Sequence, residues 1–158
     1  MKAELILTGK TKPPYIEEGM SEYIKRIKRH VTLTVTVLPD LKGTGKQGGS
    51  ETREKEGALL LKHLKPKDIV ILLDERGTRL TSADFAEFLS GVQVHATGKV
   101  VFVTGGANGF SDEVYRRKNH ILSLSPMTFS HQLVRLVFLE QLYRALTIIH
   151  NEPYHLAH

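Results

Sequence analysis

The sequence predicts a mostly parallel α/β sheet covered by helices, and three observations carry that expectation. Short apolar runs alternate with amphipathic stretches along the whole chain. Two of those runs, residues 69–73 and 100–103, are apolar without interruption, as expected of strands buried on both faces. No Pro/Gly/Ser-rich linker divides the 158 residues, so one domain spanning 1–158 suffices.

The elements follow in order. The chain enters a strand almost at once, over 4–8. Residues 15–29 follow Pro13-Pro14, a helix start signal, and place Ile16, Met20, Tyr23, Ile24 and Ile27 on one side. Residues 31–38 alternate with period two and read as a strand. Residues 39–50 carry four glycines and read as a loop, with Ser50 the N-cap of a helix over 53–64. The buried strand 69–73 ends in a turn, Asp74-Glu75-Arg76-Gly77. Thr81 or Ser82 caps a helix to Leu89, and the strand 100–103 runs into the glycine loop 104–109. Ser111 opens a short helix, 121–124 forms a strand, and the long final helix begins near Ser130 and reaches His150.

Composition excludes several classes. The chain has no cysteine, which removes disulfides and thiolate zinc sites. No helical His pair stands at metal-ligand spacing, so no metal is expected. Its apolar runs are too short to cross a bilayer, and the features of a signal peptide are missing, so a cytoplasmic location is the simplest expectation. The formal charge is +5 and the pI near 9.5, a balance that favours polyanionic partners.

Five stretches invite a chemical reading. Gly43-Thr44-Gly45-Lys46 lacks the spacing of a phosphate loop and reads as a basic loop able to touch an RNA backbone. The glycine loop 104–109 follows a buried parallel strand, so it lies at the carboxyl edge of the sheet, where α/β proteins bind ligands; a tight turn explains it equally well. The stretch SLSPMTFSH, 123–131, offers hydroxyls and backbone groups to an adenine or ribose; alternatively Ser130 caps the final helix while Met127 and Phe129 fill core. The helix 131–150 is apolar all round, which predicts burial and, in so small a protein, homodimerisation through this helix. On it, Glu140 and Arg144 are spaced for an ion pair. Arg135 and Arg144 serve as interface ion-pair partners, or Arg144 presents its fork to RNA. Last, the tail Asn151-Glu152-Pro153-Tyr154-His155 is either solvated fringe or a place to stack and hold a base.

Taken in order, GGANG, SLSPMTFSH, HQLVRLVFLEQLYRA and NEPYH resemble one family over essentially the whole chain. It is similar to the ribosomal large-subunit pseudouridine N3-methyltransferases of the SPOUT, or α/β-knot, class. The resemblance implies a deep C-terminal trefoil knot, an exception to the rule that chains do not thread loops. It implies S-adenosyl-L-methionine as cofactor, held by Leu73, Gly105 and the loop Leu124, Ser125, Pro126, Met127, Thr128 and Phe129. It also implies a homodimer, and 23S rRNA within the assembled ribosome as substrate. Methyl transfer to N3 requires the imide proton to leave. His131, His155 and Asp74 are the candidate bases, while Arg144 and His155 are placed on the substrate side. The competing readings are a non-catalytic basic ribosome-binding factor and a nucleotide-binding enzyme on a doubly wound sheet.

Overall fold

The computed structural model describes residues 1–41 and 48–157. The loop Gly43-Thr44-Gly45-Lys46 lies outside them. Five strands form one parallel sheet in the order β2-β1-β4-β3-β5: β1 (Lys2–Thr8), β2 (Thr32–Leu38), β3 (Ile69–Arg79), β4 (Val100–Thr104) and β5 (His120–Ser123). Among the described residues six helices alternate with and follow them: α1 (Pro14–Ile27), α2 (Gly48–His63), α3 (Ser82–His95), α4 (Asp112–Arg117), α5 (Leu133–Ile149) and α6 (Tyr154–Ala157). The predicted parallel α/β architecture is the one observed. Among the described residues no helix is long and apolar enough to cross a membrane.

Strand periodicity sorts the core into two layers. Leu5 and Leu7 of β1, Ile71 and Leu73 of β3, and Val100 and Phe102 of β4 face α1, α3 and α5. Their neighbours Ile6, Val70, Leu72, Val101 and Val103 face α2 and α4. The central strand β4 is buried at every residue, as its unbroken apolar run predicts.

Three boundaries differ from the sequence reading, each for a physical reason. Asp74 to Gly77 is not a turn. It is a bulge within β3, whose register on β5 slips so that both Leu73 and Thr78 pair with Leu122. Gly77 permits the close approach, since a Cβ there would sit 2.7 Å from backbone atoms of Ile121 and Leu122. Ser50 lies in the first turn of α2, which begins at Gly48, rather than at its N-cap. Packing of Thr52 and Leu60 overrides the poor propensity of the two glycines. Likewise α3 runs through Gly91 to His95 because Val92 is buried in the core.

The apolar final helix is buried largely by its own protomer. It lies between α1 and α3 on the sheet, with the Phe138 ring 4.8 Å from that of Phe102. Its flanks Leu133, Leu136, Tyr143, Ile148 and Ile149 remain only partly covered. The intramolecular packing therefore removes much of the need for a partner that the sequence alone suggests.

One interaction ties this helix to the opposite end of the chain. Arg135, 1% exposed, donates from Nη2 to Thr8 O (2.8 Å) and from Nη1 to Gly9 O and Thr11 Oγ1 (both 2.9 Å). Arg135 is thus neither an interface residue nor an ion-pair partner of a neighbouring side chain. It satisfies the carbonyls left open where β1 leaves the sheet. Arg135→Met, which keeps the apolar stem and removes every donor, should lower stability by roughly 3 kcal/mol. Urea denaturation measures this; an unchanged midpoint would contradict the role given to Arg135.

Candidate active site

Because all strands are parallel, their carboxyl ends share one edge, and three connections converge there. The bulge of β3 brings Leu73, Asp74 and Glu75. The turn after β4 brings Thr104 to Phe110, and the connection from β5 to α5 brings Ser123 to His131. Together they enclose a cavity of about 460 Å³. The glycine turn is closed by Gly109 N–H donating to Gly106 O at 3.1 Å, with Gly109 at φ +74°.

The β5–α5 connection is shaped by its hydroxyls. Ser123 Oγ donates to Ser125 O (2.9 Å), and Ser125 Oγ accepts from Met127 N–H (2.9 Å). Ser130 Oγ accepts from Leu133 N–H (3.1 Å) in the turn ahead of α5, whose N-cap position is Gln132 rather than the predicted Ser130. Met127, however, is 77% exposed and sits at the cavity mouth, which excludes the reading of it as core. Thr128 Oγ1 donates to Glu75 Oε2 at 2.6 Å and ties this connection to the bulge across the opening.

Of the residues singled out for the cofactor, Leu73, Gly105, Leu124, Ser125, Met127, Thr128 and Phe129 line this cavity, and Pro126 does not. His131, exposed, lines it too. Glu75 escaped the sequence reading because 74–77 looked like a solvated turn; a carboxylate pair directly after a buried strand was the available signal.

Arg144 and His155 lie elsewhere. Arg144 is ten residues beyond Val134, which lines the cavity, so about 15 Å of α5 separates them. There it forms a compact cluster. Its Nη2 donates to Glu140 Oε1 at 2.6 Å, and its Nη1 stands 3.1 Å from His155 Nδ1. The Tyr154 ring lies beneath the guanidinium at 4.9 Å, and Tyr154 OH donates to the same Glu140 oxygen at 3.1 Å. The hydrogen bond to Glu140 holds Arg144 firmly protonated. Arg144 must donate, so His155 Nδ1 accepts, and its proton is on Nε2. His155 therefore offers a donor rather than a base. The tail is no solvated fringe: it turns at Asn151 (φ 57°) and packs Tyr154 edge-on to Tyr143 at 4.8 Å.

The acids at the sheet edge differ in character. Burial favours the neutral form of Asp74, but the Tyr115 hydroxyl and the Arg76 backbone N–H (2.9 Å) outweigh it and hold this carboxyl below its usual range. In turn burial and Asp74 push the Tyr115 hydroxyl up to about 12. Asp74 is consequently a fixed anion and a poor general base, which removes it from the candidates. Glu56 of α2 shows the reverse. Burial raises its pKa, Asp40 adds to the rise, and the Leu41 N–H hydrogen bond (3.4 Å) only partly offsets it.

These shifts have opposite signs in stability. The Asp74 contribution is present above about pH 3.9 and is lost as pH falls through its lower folded value. Ionised Glu56 instead costs stability above its raised folded value, and that cost disappears as pH falls toward about 4.3. Glu56→Gln should therefore stabilise the protein near pH 7, with the gain closing as pH approaches about 4. Thermal melts across that range test it, and a gain independent of pH would contradict it.

Comparison with known proteins places this geometry. The family described as "Predicted SPOUT methyltransferase" matches residues 1–155. A relative from Parabacteroides distasonis is 44% identical over 155 residues, covering 98% of this chain and 99% of its own. One from Trichlorobacter lovleyi is 47% identical with the same coverage. Both are named ribosomal RNA large subunit methyltransferase H. A Legionella pneumophila methyltransferase solved with bound SAM shares the fold at a TM-score of 0.51 and 13% identity. The match covers 92% of this chain and 66% of that one. With a family match from its first residue to His155 and relatives aligned over nearly their full length, the chain belongs to the SPOUT methyltransferase family.

Proposed function

We propose that this protein transfers a methyl group from S-adenosyl-L-methionine to N3 of a pseudouridine in 23S rRNA, acting as a single domain, 1–158, on the assembled ribosome in the cytoplasm. The observation that carries the proposal is the convergence of three sheet-edge connections on one cavity. Its volume falls within the range of small-ligand sites, roughly 300–1,000 Å³. The names of the 44% and 47% identical relatives support the ribosomal RNA substrate.

The lining suits the cofactor. Leu73, Leu124 and Phe129 offer apolar surface, while Gly105 and the hydroxyl-braced backbone from Leu124 to Phe129 offer polar groups. Pro126 would act by stiffening that backbone. Asp74, its ionised form favoured, and Glu75 put negative charge on the cavity wall, which would suit a cofactor that carries a sulfonium and an ammonium. When bound, S-adenosylmethionine supplies a methyl group already activated for displacement. The protein must then align the nucleotide and accept the N3 proton. His131, the imidazole at the cavity, would take the N3 proton, so that the N3 lone pair could bond the methyl carbon as that carbon's bond to sulfur breaks and the neutral thioether, S-adenosylhomocysteine, leaves.

Arg144 and His155 cannot reach the cavity of their own protomer along α5. We assign them to a second copy, docked through the partly covered flanks of α5, so that a dimer completes each site. In that docked position the Arg144 guanidinium and the His155 ring N–H would hold a uracil carbonyl or a phosphate. The trefoil knot of the family belongs to the same reading, supported by β5 pairing with β3 rather than with the preceding β4.

Titration calorimetry should show S-adenosylmethionine binding to the protein alone, and ribosomes lacking the modification should accept one methyl. Arg144→Ala and His155→Ala should each lower kcat/KM on ribosomes by about 100-fold or more while leaving cofactor affinity intact. No cofactor binding, or variants as active as the parent chain, would defeat this reading.

A further inference from the structure

A second cavity, about 470 Å³, lies beside the first at the same sheet edge and shares Gly106, Ala107 and His131 with it. Its other walls come from the exit of β1 and the end of β2. On one lip stand Lys10 and Lys12, both exposed and, among the described residues, without an ion-pair partner. Their backbone is not loose. Gln132, just before α5, accepts from Lys12 N–H at 2.9 Å and donates to Lys10 O at 3.2 Å. Buried Arg135 holds the same segment at Gly9 and Thr11 and adds a positive charge beneath it. Two lysines are thus presented from a fixed backbone within one cavity of the proposed methyl donor. Asp40, just after β2, packs against Gly9, where a Cβ would stand 3.0 Å from the Asp40 Cβ, so its carboxylate lies beside the lysine segment and offers a hydrogen-bond acceptor there.

We propose that this second cavity receives the target nucleotide, with Lys10 and Lys12 holding its flanking phosphates and the shared wall bringing its base to the cofactor cavity. Anionic backbone belongs on the two lysine side chains, and a ribose hydroxyl or base N–H can donate to Asp40 beside them. Methyl transfer needs the acceptor nitrogen within contact distance of the methyl group. The wall shared by the two cavities is made of Gly106, Ala107 and the proton-accepting His131, the first two with little or no side chain to stand between acceptor and methyl group. The proposal rests on the function inferred above but is tested separately from it.

The measurement is the salt dependence of ribosome binding, alongside methylation kinetics. Replacing both lysines, Lys10→Ala with Lys12→Ala, should reduce the slope of log affinity against log salt by about two and raise the ribosome KM about tenfold or more. Cofactor affinity should not change, and the Lys10→Arg, Lys12→Arg pair should restore binding. Val37 lines the second cavity but not the first and is 48% exposed. Val37→Trp should fill the cavity and raise KM with cofactor binding intact. An unchanged salt slope in the double alanine variant, or an unchanged KM in Val37→Trp, would overturn the assignment. Binding is read without turnover. If the parent chain bound ribosomes yet transferred no methyl, the proposed function would fail, while the slope would still report on the lysine lip.

Discussion

A single buried guanidinium sets the geometry on which both cavities depend. Arg135 spans 127 residues of sequence to reach the carbonyl of Thr8. A parallel sheet leaves unpaired carbonyls wherever a strand exits, and such groups are costly when covered by a helix. Arg135 meets that need for β1, and in doing so fixes α5 over the sheet edge. Burial lowers its pKa and Asp40 opposes the fall, but a guanidinium starts so high that the charge persists. Within one turn of it, Gln132 clamps the β1 exit and Val134 lines the first cavity. The two cavities therefore keep a fixed relation, as bringing two reactants together demands.

Charge is distributed around this edge with the same economy. The anions Asp74 and Glu75 stand at the first cavity, the cations Lys10 and Lys12 at the second. Each sign suits a different occupant, a cationic cofactor in one and an anionic backbone in the other. Hydrogen bonds favour the charged form of Asp74, and salt screens such a partly buried anion less than it screens surface lysines. Cofactor binding and RNA binding should thus respond differently to ionic strength.

Much of this was legible in the sequence because local pattern and tertiary structure agree. Uninterrupted apolar runs marked β3 and β4, Ser111 and Thr81 marked helix starts, and the glycine loop fell at the carboxyl edge. The residues of the cavity were named from motif order rather than from any one motif. What stayed hidden were features decided by distant partners. The bulge at Asp74 exists because Gly77 lets the β5 backbone approach, and nothing in the local residues distinguishes it from a turn. Arg135 and Arg144 carried the same reading as interface ion-pair partners although they stand on opposite sides of the helix, and the exit of β1 is what gives Arg135 its separate role. Lys10 and Lys12 were ordinary surface lysines until Gln132 pinned them beside a cavity. The tail's two possibilities were divided by Glu140 and Tyr143, which hold Tyr154 against α5.

The central claim is that one protomer's cavities and another's Arg144 cluster make a single working site. The proposal rests on distance: α5 carries the cluster about 15 Å from the cavity of its own protomer. Subunit complementation tests this directly. Two folded, singly inactive chains, Gly105→Leu to block the first cavity and Arg144→Ala to remove the distal contact, would be unfolded, mixed and refolded together. Mixed dimers regain one complete site, so ribosome methylation should return to about a quarter of the parental rate. Activity no greater than the sum of the separate variants would contradict a site shared between two copies.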